Sequence, residues 1–133
     1  MVDGSGSRRL DRKCDTGNER SSVIMDMRVL IVEPGRSPKE AFIGKDLKSM
    51  QKVVGGYIEP VYPPIHKDDA CIICNEEGKI NGLPLNQPIK WEDGRPYDII
   101  AGTFFICRAP EDSDEFAGLT DEQVETYKKM YAW

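Results

Sequence analysis

The side chains with reactive chemistry are four cysteines and one histidine in a chain of 133 residues. Cys71 and Cys74 form C-I-I-C, the spacing of zinc knuckles and thioredoxin-like redox pairs. A zinc site requires a second ligand pair, and the only histidine, His66, stands in a Pro- and Asp-rich loop with no companion. A redox pair requires a helix N-terminus to lower the thiol pKa. Ala-Cys-Ile-Ile-Cys is β-branched and reads as strand instead. Residues i and i+3 of a strand point to opposite faces, so the two thiols diverge. Buried strand cysteines, with no metal and no cofactor, are the expectation.

Carboxylates are the next candidates. Glu76, Glu77 and Asp98 would make a pair for acid–base work, with His66 as a base. Neighbouring glutamates in a turn need not converge, however, and no set of nucleophile, base and orienting group appears. A non-enzymatic protein is expected. The surrounding stretch, residues 75–86, reads N-E-E-G-K-I-N-G-L-P-L-N between apolar runs at 70–74 and 99–107. Loops held between strands are where binding groups concentrate. Glu77-Gly78 and Asn81-Gly82 are accounted for by turn geometry, the second with the composition of a tight type I′ hairpin. Leu83, Pro84 and Leu85 are expected to anchor the loop by packing. Glu76, Lys79, Asn81 and Asn86 remain as the candidate recognition surface. A second reading is a small, nucleotide-like ligand, hydrogen-bonded by Asn75, Asn81, Asn86 and Thr103 beside Tyr57, Trp91 or Tyr97. Against it, Asn in Asn-Gly turns commonly satisfies its own backbone.

The formal charge of −5 is unevenly spread. Residues 1–26 carry five basic and five acidic groups, and residues 28–108 eleven of each. The excess lies after residue 108, where Glu111, Asp112, Asp114, Glu115, Asp121, Glu122 and Glu125 face only Lys128 and Lys129. Binding a phosphate backbone calls for a Lys/Arg-rich face. The one basic feature is Lys45, Lys48 and Lys52 at helical spacing, with Lys39 nearby, and that is also how the wet side of an amphipathic helix looks. Direct nucleic-acid binding is therefore not expected, whereas an acidic surface fits a basic groove on a protein partner.

The elements that must hold these groups follow from periodicity. Residues 1–26 are rich in Gly, Ser and alternating charge and read as a disordered leader. The domain proper is expected over 27–133. Residues 28–32 are a β-branched strand stopped by Pro34-Gly35, with residues 41–43 its hairpin partner. Asp46 caps a helix carrying Leu47, Met50 and Val54 on one stripe, ended by Gly55-Gly56. Those glycines follow a helix, so they do not make a phosphate cradle, which precedes one. Pro60 confines residues 57–62 to a sheet edge. Residues 97–107 are long enough for the central strand, with a close backbone approach at Gly102. Thr120 caps a last helix whose Val124, Tyr127 and Tyr131 form the stripe that lies on the sheet. The sum is one α+β domain, a small, mostly antiparallel sheet with two helices packed on one face. No run approaches the roughly 18 apolar residues of a membrane span. Few cysteines and no apolar secretory signal point to the cytoplasm.

The motifs V-L-I-V-E-P-G at 29–35, V-G-G-Y-I-E at 54–59, C-N-E-E-G-K-I-N-G-L-P-L-N at 74–86 and D-I-I-A-G-T-F-F-I at 98–106 resemble a small domain-of-unknown-function family of phages, plasmids and conjugative elements of Firmicutes. The resemblance runs from Met27 to the last helix; the leader and the region around residues 60–64 depart from it. It carries no catalytic residues across. It implies an accessory role, with a host or phage protein as partner and counter-defence among its uses.

Overall fold

The computed structural model describes residues 26–132. The expected leader, apart from Asp26, lies outside the described residues. β1 (Asp26–Val32) pairs antiparallel with β2 (Lys39–Gly44), placing Met27 opposite Ile43 and Leu30 opposite Glu40. The hairpin expected from residues 28–32 and 41–43 is present. Asp46 then caps α1 (Leu47–Val54) by accepting from the Ser49 N–H at 3.0 Å. Gly55 closes it in the left-handed region at φ 81°, where a side chain would be strained. Of the expected stripe, Met50 and Val54 are buried, but Leu47 is 54% exposed. Val53 packs against the core cluster alongside them.

β3 (Ile58–Val61), β4 (Ala70–Asn75) and β7 (Phe104–Arg108) complete a five-stranded sheet in the order β2-β1-β7-β4-β3, all neighbours antiparallel. β5 (Leu85–Lys90) and β6 (Pro96–Ala101) form a separate antiparallel pair. The continuous central strand expected over 97–107 is thus two strands in two sheets. Gly102 divides them at φ 88°, which breaks the pleat, and a Cβ there would sit 2.8 Å from Leu83 Cδ1. The close approach is real, and its partner is Leu83. The chain closes with α2 (Asp121–Met130). Thr120 Oγ1 accepts from the Gln123 N–H at 3.1 Å while Gln123 Oε1 accepts from the Thr120 N–H at 3.0 Å, a full capping box.

The two helices lie on opposite faces of the sheet, which corrects the one-face arrangement. Alternate residues of β4 separate the layers. Cys71 and Ile73 pack with Met50 and Val54 of α1, while Ala70, Ile72 and Cys74 pack with Val124, Tyr127 and Tyr131. All six β4 residues are buried. A strand covered on both sides reads as one apolar run rather than as an alternation. The β5–β6 pair adds Ile89 and Ile100 to the α2 layer. Cys71 and Cys74 diverge as expected. Cys71 instead faces Cys107 across the β4–β7 ladder with sulfurs 3.8 Å apart, and both are free thiols.

Candidate functional site

Residues 76–82 do not form a tight hairpin. The strands on either side, β4 and β5, belong to different sheets, and the chain winds between them through overlapping turns, Asn81 N–H to Glu77 O at 2.9 Å and Leu83 N–H to Gly78 O at 3.0 Å. Three residues pin this loop. Asn75, at the end of β4, donates to Val54 O at 3.2 Å and accepts from the Glu77 N–H at 2.8 Å, tying the loop to the end of α1. Gly78 passes so close to β6 that a Cβ would lie 2.5 Å from Ala101 O. Asn86 is 3% exposed and donates from Nδ2 to Val32 O at 2.9 Å and to Gly102 O at 2.8 Å.

Asn86 is accordingly a strut between β1 and the Gly102 bend, and no part of an exposed recognition surface. Its Oδ1 has no partner among the described residues. Asn81 is exposed. Of the anchors, Leu83 is half-buried against Gly102, but Pro84 and Leu85 are exposed.

Glu76 and Lys79 do come together. They stand at one end of a cleft of about 410 Å³, with Glu59, Pro60 and Val61 of β3 on one side and residues 97–101 of β6 on the other. Lys79 Nζ is ion-paired with Asp98 Oδ1. That contact, with the Ile99 N–H on the same oxygen at 2.8 Å, holds the Asp98 carboxyl below its usual range. Cys74 also lines the cleft, and its thiol is pushed up to about 11, first by burial and then by the charge of Glu59. Ile80, at the loop end of the cleft, is 84% exposed. Tyr97 lines the opposite side and stacks on Trp91 with ring centroids 4.3 Å apart. Glu77, Asn81, Asn86 and Thr103 do not line this cleft.

The members missed by sequence reasoning are Glu59, Val61, Ile80 and the backbone of β6. Pro60 marks β3 as an edge, but nothing local signals that a strand of the second sheet lines the same cleft.

His66 belongs to a different cluster. It is 8% exposed, with Nδ1 3.1 Å from Ala70 O and Nε2 2.7 Å from the Tyr131 hydroxyl. A carbonyl only accepts, so Nδ1 carries the proton and Nε2 accepts from Tyr131, fixing a neutral tautomer. Burial lowers its pKa. Beside it Tyr127 donates to Asp68 Oδ1 at 2.6 Å, and Gln123 and Arg108 hold Asp69 at 3.0 and 3.2 Å. Each of these side chains has a protein partner, which marks a fastener between the loop at 63–69 and α2.

The acidic candidates Glu111, Asp112, Asp114, Glu115, Asp121, Glu122 and Glu125 are all exposed, and Asp121 also pairs with Arg28 at 2.7 Å. Lys48 and Lys52 lie on the wet side of α1. No group of three or more metal-ligating side chains occurs among the described residues, and none of their helices is long and apolar enough to cross a membrane.

No curated protein and no solved structure matches this chain. Its four motifs and all of the α+β domain but Asp26 fall within residues 27–132, which match the domain of unknown function DUF3846, and the chain belongs to that family.

Proposed function

We propose that this domain is a non-enzymatic protein-binding module that takes up an extended segment of its partner in the cleft between β3 and β6. One observation carries the reading: both strands have a neighbour on one side only, and both line the same open cleft. A free strand edge supplies main-chain hydrogen bonds, and the flanking pockets supply specificity. The Glu76 N–H bonds Tyr57 O at 2.8 Å. Following the ladder by twos makes Glu59 with Cys74 and Val61 with Ile72 the next hydrogen-bonded pairs. Ile58 and Pro60 therefore turn their backbone groups outward; proline costs the internal ladder nothing, and the edge offers an incoming segment the Ile58 N–H and the Ile58 and Pro60 carbonyls.

Ile80 provides the test. Full-length protein and its Ile80→Asp variant are used to capture partners from host lysate. A partner held by the wild type and lost by the variant supports the cleft. Capture unaffected by Ile80→Asp but abolished by charge reversal of the carboxylates at 111–115 assigns binding to the acidic segment instead. Strong salt dependence would accompany that second outcome.

The wider setting is an accessory protein of a mobile genetic element, with a host or phage protein as partner and counter-defence as one use; the motif resemblance supports it. A cytoplasmic location belongs to the same proposal and is supported by the low cysteine count. A small-ligand reading has one observation in its favour, the stacked Trp91 and Tyr97 beside a cleft of ligand size. A thermal shift with a nucleotide panel separates the two, because a ligand that binds only the folded state raises its melting temperature.

A further inference from the structure

We infer that the segment taken up by this cleft carries a cationic side chain, arginine or lysine, received by Glu59, Glu76 and Asp98. The inference rests on the binding reading above and names the chemistry of the occupant. Residues 28–108 are neutral as a whole, yet the charged side chains lining the cleft are three carboxylates and Lys79. A surplus of two negative charges is thus concentrated in a cleft cut from a neutral region.

The carboxylates differ in how far they are already engaged. Glu59 and Glu76 make no ion pair among the described residues. Asp98 takes both Lys79 and the Ile99 N–H on Oδ1, and its Oδ2 accepts no hydrogen bond from a described residue. Lys79 shows the favoured chemistry within the chain itself, an ammonium seated on Asp98. The partners of that pair are 55% and 47% exposed, and ion pairs this open hold weakly. An arriving guanidinium can take Oδ2 beside Lys79, or replace it.

The walls suit the rest of such a side chain. Val61, Ile80 and Ile99 offer apolar surface for an aliphatic stem, as long cations require when the charged head stays in water. The ring of Tyr97 stands at the same cleft, a face on which a guanidinium can lie. In an extended segment side chains alternate, so cations at every second position fall on one side while the backbone meets a strand edge.

Three acetylated and amidated pentapeptides test this, Val-Arg-Val-Arg-Val and its Gln and Glu counterparts, titrated into full-length isotope-labelled protein and followed by amide NMR. The Arg peptide is expected to move amides at 59, 61, 76–80 and 97–101, more tightly than the Gln peptide, with the Glu peptide weakest. Glu59→Gln and Asp98→Asn, both surface changes, should each weaken Arg-peptide binding about 2- to 5-fold. Equal binding of all three peptides at the cleft overturns the cationic preference and leaves the uptake of an extended segment standing. Shifts from the Arg peptide confined to 111–125 also overturn it, since those carboxylates would attract any cation. If no peptide moves a cleft amide, the preference and the docking site fall together.

Discussion

Asn81 and Asn86 are alike in sequence, but they should respond oppositely to the same change. Asn86→Ala removes two hydrogen bonds, to Val32 O at 2.9 Å and Gly102 O at 2.8 Å, from a side chain 3% exposed. Each such bond is worth about 1 kcal/mol net, and a buried carbonyl left without a donor adds to the cost. The sum is a loss of about 2–4 kcal/mol, or about 10–20 °C in melting temperature for a domain of this size. Asn86→Asp keeps the shape but replaces the donating amide with an oxygen facing two carbonyls, so it should cost at least as much. Asn81 is exposed, and Asn81→Ala should stay within about 0.5 kcal/mol. Urea unfolding without any partner present measures all three. Asn86→Ala should lower the midpoint at unchanged slope. Equal midpoints for the Asn81 and Asn86 variants would refute the assignment of Asn86 as a strut.

Other outcomes follow from the same contacts. His66 has a folded-state pKa lowered from 6.5 by burial, so the unfolded chain binds the proton more readily. The stability it contributes is complete above 6.5 and is lost as pH falls through the folded value; unfolding midpoints in the acid range should drop, and His66→Gln should flatten that slope. Cys74, with its thiol near 11 rather than 9.0, should alkylate about 100-fold more slowly at about pH 8 than an ordinary thiol, as read by peptide mass spectrometry. Rapid native-state labelling of Cys74 would contradict its burial. Gly102→Ala places a side chain at φ 88°, where L residues lose about 1–2 kcal/mol, and the nearby Leu83 Cδ1 must also shift. A melting temperature unchanged by Gly102→Ala would mean that the bend between β6 and β7 relaxes without strain.

Local chemistry was legible wherever it decided the structure. Asp46, Gly55, Pro60 and Thr120 punctuate the chain through their own backbone preferences, and each acts where the sequence places it. Even the capping-box partner of Thr120 was available in the spacing T-x-x-Q. The layering was legible too, but through a different signal from helix periodicity. Ala-Cys-Ile-Ile-Cys is an unbroken apolar run, and a strand that is apolar on both faces must be covered on both. Cover on both faces follows from that pattern, but not that a helix supplies it on each; the stripe of Val124, Tyr127 and Tyr131 says only that α2 packs on something. The division of 97–107 was less accessible. Gly102 signals either a close approach or a bend, and only the position of Leu83 and the pairing of β6 with β5 show that it is both.

The site was half legible for a related reason. Glu76 and Lys79 are displayed by a loop whose polarity is visible in sequence, whereas Asn86 is consumed by two carbonyls brought to it from residues 32 and 102. Distant backbone cannot be read from a local run of asparagines. Those internal bonds nonetheless bear on function. Asn75 and Asn86 tie down the two ends of the loop and Gly78 lets it rest on β6, so Ile80 is held out at 84% exposure by a framework that is already ordered. Ordering a flexible loop on association costs about 0.5–1.5 kcal/mol for each immobilised side chain, and a loop fixed beforehand avoids much of that loss. Under the proposed docking function, an apolar side chain held out by an ordered loop beside a cleft lined by two edge strands would meet its partner with little of that loss.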